Sequence, residues 1–328
     1  MSVLQIDPNP KAGFNYPYYL HIPDGYTGER PILVKPTNSG RPSDEFEDHR
    51  KEAEKRMRDE SWIRPIADRL HVPLLVPAFP RPFSDPVDWT HSVHQLCART
   101  MRIKEGSLKH VDLQLLAMID DARERLSTHD QIPPEKVMLS GFSASAAFVN
   151  RFTVLHPNRV SSVSAGGVNG IVTLPITTGD IETLAAEQGL DPTDYFCDEL
   201  LLNYPVGVAD IEDLTGDPFD LTSFCEVPQF IYMGEDDDKD VLLWPDPWTD
   251  PELRMSAILT YGPDIHEDRF PYCSSVYTKQ DVSAIFRTYS ATGHDPSPAI
   301  DDVITFHEQS IAGTCVEELD DAIGGNPV

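Results

Sequence analysis

Lys136-Val137-Met138-Leu139-Ser140-Gly141-Phe142-Ser143-Ala144-Ser145-Ala146-Ala147-Phe148 is the stretch whose reading decides the fold of this chain. Lys136 to Leu139 (KVML) reads as a short strand buried on both faces. From Ala146 the segment AAFVNRFTVLHP reads as a helix that Pro157 stops. Between them lies Gly-Phe-Ser-Ala-Ser. A strand-to-helix elbow forces its central residue into a strained backbone conformation and works only if small neighbours let the flanking chain pass closely. Gly141 and Ala144-Ser145-Ala146 are such neighbours. The elbow would lift the Ser143 hydroxyl out of the sheet at a helix N-terminus, where partial positive charge favours an oxyanion. Read without chemistry, the same letters are a serine-rich turn.

Outward from the elbow, apolar segments of strand length alternate with longer amphipathic ones, the pattern of an α/β protein. Phe14 to Pro23 (FNYPYYLHIP) reads as a strand leading into a hairpin at Pro23-Asp24-Gly25, and Pro31 to Val34 (PILV) as a buried strand. A charged helical stretch from about Asp44 to Leu70 precedes another buried strand in HVPLLVPAFP. Val111 to Leu126 carries a helical apolar stripe. Further strands are expected at Ser161 to Val168, Pro228 to Met233 and Ala284 to Ser290, and a last helix from Ile300 to Ile311. Residues 169–227 form a long acidic, proline-bearing insertion, a length that usually carries function or covers a site. No linker or internal repeat divides the chain, so residues 1–328 read as one domain.

In this setting Gly141-Phe142-Ser143-Ala144-Ser145 resembles the nucleophile elbow of the α/β-hydrolase family, G-x-S-x-G, with Ser145 standing where the family has its final glycine. The family orders its triad as Ser, acid, His along the chain. Downstream, PQFIYM ends in Gly234-Glu235-Asp236-Asp237-Asp238-Lys239-Asp240, and AIFRTYS ends in Ala291-Thr292-Gly293-His294. The resemblance implies His294 as base and Asp237, three residues after the strand-ending glycine, as acid; a shift in the loop gives the role to Asp238 or Asp240. His49, His110 and His129 read as solvated helix or loop residues. The resemblance also implies two oxyanion donors, the N–H of Ala144 and one from the loop after PILV. Relatives carry His-Gly there. Here the loop is Lys35-Pro36-Thr37-Asn38-Ser39-Gly40; proline has no N–H, and position favours Asn38, with Thr37 as alternative.

The opening FNYPYYLHIPDGY followed by RPILV is similar to the polyhydroxybutyrate-depolymerase, feruloyl-esterase and dienelactone-hydrolase-like branches, and the likeness extends from about residue 14 to 312. It implies a mostly parallel sheet flanked by helices, with residues 169–227 as a cap or lid, and hydrolysis of small or polymeric esters through an acyl-enzyme. The alternatives are a peptidase or amidase with the same triad and a non-catalytic binding protein of the same fold. Phe79, Phe83, Trp89 and Phe142 are candidates to line the acyl pocket, each also readable as core, and Trp244 and Trp248 to form a rim or lid. Asp236, Asp238 and Asp240 have a spacing reminiscent of a calcium loop, but the invariant glycine and distal glutamate of an EF-hand are missing. No phosphate loop, dinucleotide glycine pattern or metal-ligand pair is visible, so neither cofactor nor metal is expected.

The charge balance points the same way. Of 328 residues, 26 are Lys or Arg and 54 Asp or Glu, a net charge of −28. Nucleic acid and anionic membranes are poor partners for such a surface, because binding either needs clustered Lys and Arg. Asp (34) outnumbers Glu (20), and only 9 of the basic residues are Lys, a composition expected of a protein adapted to a saline cytoplasm, as in salt-loving archaea. The N-terminus lacks a basic and apolar signal pattern, and the five cysteines are scattered without a C-x-x-C pair, so a cytoplasmic protein is expected.

Overall fold

The computed structural model describes residues 2–36, 42–58, 61–84, 93–127, 132–180, 199–243, 248 and 250–314. Its centre is an eight-stranded sheet. The strands are β1 (Ser2–Ile6), β2 (Tyr18–Ile22), β3 (Leu33–Val34), β4 (Leu74–Pro77), β5 (Val137–Phe142) and β6 (Val160–Gly166), then, beyond a small two-stranded sheet of β7 (Thr178–Asp180) and β8 (Glu199–Leu201), β9 (Gln229–Gly234) and β10 (Ala284–Tyr289). The large sheet runs β1-β2-β4-β3-β5-β6-β9-β10, and β2 alone opposes the direction of the rest.

Period-two alternation distributes the strand side chains between two cores. Val137, Leu139, Ile231 and Met233 face one layer, which contains helix α4 (Val111–Leu126) and helix α5 (Ala144–Leu155). Met138, Phe230 and Tyr232 face the other, made by α1 (Phe46–Lys55), α2 (Ile63–Leu70) and the terminal helix Ile300–Ala312. A short helix, α3 (Ala98–Met101), precedes α4. The wholly apolar strand runs are thus explained by burial on both faces. The chain moves outward from β3 to β4, then crosses back to β5 and continues the other way, so the order reverses between β3 and β5. Open α/β sheets bind ligands at such a reversal, outside the carboxyl ends of the strands.

Three expectations need correction. The helical stretch from Asp44 to Leu70 is two helices, because Pro65 cannot donate an interior i to i−4 bond and is accommodated only in the first turn of a new one, α2. The hairpin expected after Gly25 lies before β2 instead: β2 pairs with an N-terminal strand, β1, through Tyr18↔Ile6. His49 is not solvated; it is buried, with Nε2 donating to Ser43 O at 2.7 Å.

Within residues 169–227 the described portions pack into the body. Leu174, Leu202, Tyr204 and Val206 join the core around α4 and α5, and the Tyr261 hydroxyl bonds Val172 O at 2.7 Å and Val206 O at 2.9 Å. Among the described residues, no helix is long and apolar enough to cross a membrane.

Candidate active site

Ser143 sits between the end of β5 and the first residue of α5 with φ +62° and ψ −129°, a conformation that costs an ordinary residue about 1–3 kcal/mol and persists only where surroundings over-determine it. Its N–H donates to Gly166 O at 2.8 Å, and its carbonyl accepts from Ala146 at 2.8 Å and Ala147 at 3.2 Å. Glycine is required at 141: a Cβ there would lie 2.2 Å from Ser145 O. Ala144 opens α5, so its N–H is one of the first-turn donors that have no intrahelical acceptor.

The loops after β9 and β10 are zipped together. Glu235 N–H donates to Tyr289 O at 2.9 Å and Asp236 N–H to Thr292 O at 2.8 Å. Gly234 lets them meet, since a Cβ there would fall 2.1 Å from Thr292 O. This pairing brings His294 Nδ1 to 2.8 Å from Asp237 Oδ2, with the Asp237 side chain 1% and that of His294 20% exposed. A carboxylate can only accept, so Nδ1 carries a hydrogen, and in the neutral imidazole the lone pair is on Nε2. The His294 ring packs on Phe142, the neighbour of Ser143, with centroids 4.7 Å apart. Gly167, at φ +61°, lies under both rings; a Cβ there would stand 3.0 Å from His294 Cε1 and 2.9 Å from Phe142 Cζ.

The four aspartates of the loop after β9 have different surroundings. Only Asp237 reaches His294; its other oxygen accepts the Lys239 N–H at 3.1 Å. Asp238 is 88% exposed. Asp240 forms a two-pronged pair with buried Arg269, at 2.7 and 3.1 Å, and is thereby drawn away from any calcium-type arrangement. A second latch lies one turn away, where His266 Nε2 donates to Asp237 O at 3.0 Å. Sequence reading missed His266 and Arg269 because neither has a local motif; each is 29 residues from its partner.

Asn38 and Thr37 lie outside the described residues, as do Trp89, Trp244 and His129. Phe79, a pocket candidate, and Trp248, a rim candidate, are buried in the core cluster around α4 and α5; Phe83 is 56% exposed. A cavity of about 700 Å³ lies elsewhere, at the far end of α5, among Met101, His156, Leu214 and Phe219. At 1.5 Å per residue it is separated from Ser143 by about 18 Å of helix.

No protein-family model and no curated protein matches this sequence. Solved structures do. The poly(aspartic acid) hydrolase-1 of Sphingomonas sp. KT-1 superposes with a TM-score of 0.53 at 16% identity, over 93% of this chain and 97% of that one. LpqC, a poly(3-hydroxybutyrate) depolymerase from Bordetella parapertussis, gives 0.53 at 18% identity, over 98% and 92%. This is the α/β-hydrolase fold. An S-formylglutathione hydrolase from Agrobacterium tumefaciens shares it, with a TM-score of 0.51 at 12% identity over 94% of each chain. Ser143 follows β5, Asp237 follows β9 and His294 follows β10, in that chain order.

Proposed function

We propose that this protein is a serine hydrolase of carboxylic esters, with Ser143 as nucleophile, His294 as general base and Asp237 as the acid that orients it. The observation that carries the reading is the 2.8 Å bond from His294 Nδ1 to buried Asp237, on a ring packed at a tilt against the residue preceding the strained Ser143. His294 Nε2 takes the Ser143 proton as Oγ attacks the carbonyl carbon, and returns it to the leaving alcohol. Asp237 stabilises the imidazolium formed in between. The oxyanion is held by the Ala144 N–H and by a second donor from the loop after β3, assigned by sequence position to Asn38, with Thr37 as alternative. Water then repeats the sequence on the acyl-enzyme. The insertion of residues 169–227 is assigned as a cap beside the site.

The names of the superposed proteins, a polyester depolymerase and a thioester hydrolase among them, support acyl hydrolysis as the reaction class. A poly(aspartic acid) hydrolase among them keeps amide cleavage by the same triad as the second reading.

The test is turnover of a short-to-long series of p-nitrophenyl esters by the wild-type protein and by Ser143→Ala, at low and molar salt. Burst release and turnover that the substitution abolishes support the acyl-enzyme. Absence of turnover at every chain length, together with cleavage of an anilide series, moves the assignment to an amidase; inertness to both, and to a fluorophosphonate label, leaves a binding protein.

A further inference from the structure

Lys35 and Ser145 are buried polar side chains that the chemistry above does not use. Lys35 follows β3 directly, anchored by its N–H to Leu75 O at 3.0 Å. Its side chain crosses to the nucleophile elbow, where Nζ donates to Ser145 Oγ at 3.3 Å and stands 6.0 Å from the Trp62 ring. Burial, with Arg56 nearby, pushes the Lys35 ammonium well below the usual lysine range. In either protonation state the nitrogen keeps an N–H to donate.

Ser145 Oγ accepts the Phe142 N–H at 2.9 Å and donates to Phe142 O at 2.8 Å. A hydroxyl has one donor and two acceptor positions, and Phe142 O, Phe142 N–H and Lys35 Nζ fill all three. The need for this arrangement lies in the sheet. Met138 turns its N–H toward β3, donating to Ile32 O at 2.9 Å, and Phe142, four residues on, faces the same side. There β3 has already ended, its last pairing being Val34 with Leu139. Phe142 therefore has no strand partner on that side, and Ser145 supplies one.

We propose that Lys35 and Ser145 form a clamp that takes over the position of the missing elbow glycine, joining the end of β3 to the nucleophile turn and fixing Ser143 and the Ala144 N–H in their reactive geometry. Both are positioning residues; neither touches substrate. The proposal rests on the hydrolase reading above. A clamp of this kind acts on the transition state more than on substrate binding, so its signature is a loss in kcat with KM held.

The experiment compares wild type, Lys35→Met, Ser145→Ala, Ser145→Gly and the Lys35→Met/Ser145→Ala double variant on p-nitrophenyl butyrate, with active sites titrated by a fluorophosphonate and the labelled residue identified by mass spectrometry. Each single substitution is expected to lower kcat per titrated site about tenfold with KM changed less than about twofold, and the double variant to be no slower than the slower single one. If Lys35→Met does not fold, the two Ser145 variants decide alone. Unchanged kcat per titrated site, a loss confined to KM, or losses that multiply in the double variant overturn the clamp while the hydrolase reading stands. Failure of the wild-type protein to label at Ser143 overturns both.

Discussion

Replacing Asp237 and Asp240 separately by asparagine should divide catalysis from stability within a single loop. A unit charge pair at 2.8 Å, the Asp237 Oδ2 to His294 Nδ1 distance, interacts by about 6 kcal/mol at an effective dielectric of about 20. At about 1.36 kcal/mol per decade that is worth some four orders of magnitude in stabilising the imidazolium, and the amide can also hold the wrong imidazole tautomer. Asp237→Asn is therefore expected to lower kcat by about 10⁴-fold with the fold intact. Asp240 touches Arg269, which is itself buried and also donates to Gly262 O and Pro263 O. Breaking a buried pair by removing one charge costs about 3–5 kcal/mol; the remaining carbonyl acceptors reduce this here to about 2–3 kcal/mol. Asp240→Asn should thus lower Tm by roughly 5 °C while kcat per titrated site stays within about threefold of wild type. Thermal melts and active-site-titrated kinetics on both variants decide it. Full turnover by Asp237→Asn, or a 10³-fold loss of kcat in folded Asp240→Asn, would refute the assignment of the two aspartates.

Gly167→Ala should lower kcat about ten- to hundredfold, because its Cβ would press within 3.0 Å of His294 Cε1 at a φ that L-residues resist; unchanged kinetics would contradict the ring packing drawn here. Acid should destabilise the fold through His307, which is buried between the Ser162 and Ser164 hydroxyls and whose pKa burial pushes down to about 3. Above an unfolded value of about 6.5 its contribution is complete; below it the unfolded chain binds a proton that the folded one refuses, so about 2 kcal/mol is lost by pH 5, and urea titrations of His307→Gln should show a shallower slope between pH 7 and 5. With a net charge of −28, Tm should rise between 0.1 M and 2 M KCl as self-repulsion is screened; equal melting at both would remove the charge-repulsion account.

The elbow was legible because its cause is local: a strand, a glycine, a run of small residues and a helix follow one another without a gap. His294 was legible because the α/β-hydrolase pattern places it just past the last strand. Asp237 was legible only as one of several aspartates, since what distinguishes it from Asp240 is Arg269, 29 residues away from the latter and silent in sequence. Ser145 was visible as a departure from the family pattern, but its work depends on β3 ending three residues short of Phe142, a matter of register that no single segment encodes. The break between α1 and α2 is written in Pro65 but masked by a surrounding charged pattern that is helical on both sides.

The paired contacts from His266 to Asp237 and from Arg269 to Asp240 divide the chain in a way that strand order does not. They hold the chain on both sides of the helix Pro251–Tyr261 beside Asp237. Closing a longer loop costs only slowly increasing entropy, so insertions and deletions between the pins can accumulate while Asp237 stays in place. Grafting obeys the converse rule: the loop carrying Asp237 and Asp240 keeps its two latches in another scaffold only if the turn carrying His266 and Arg269 travels with it, and the two segments behave as one exchangeable unit in recombination as well as in design.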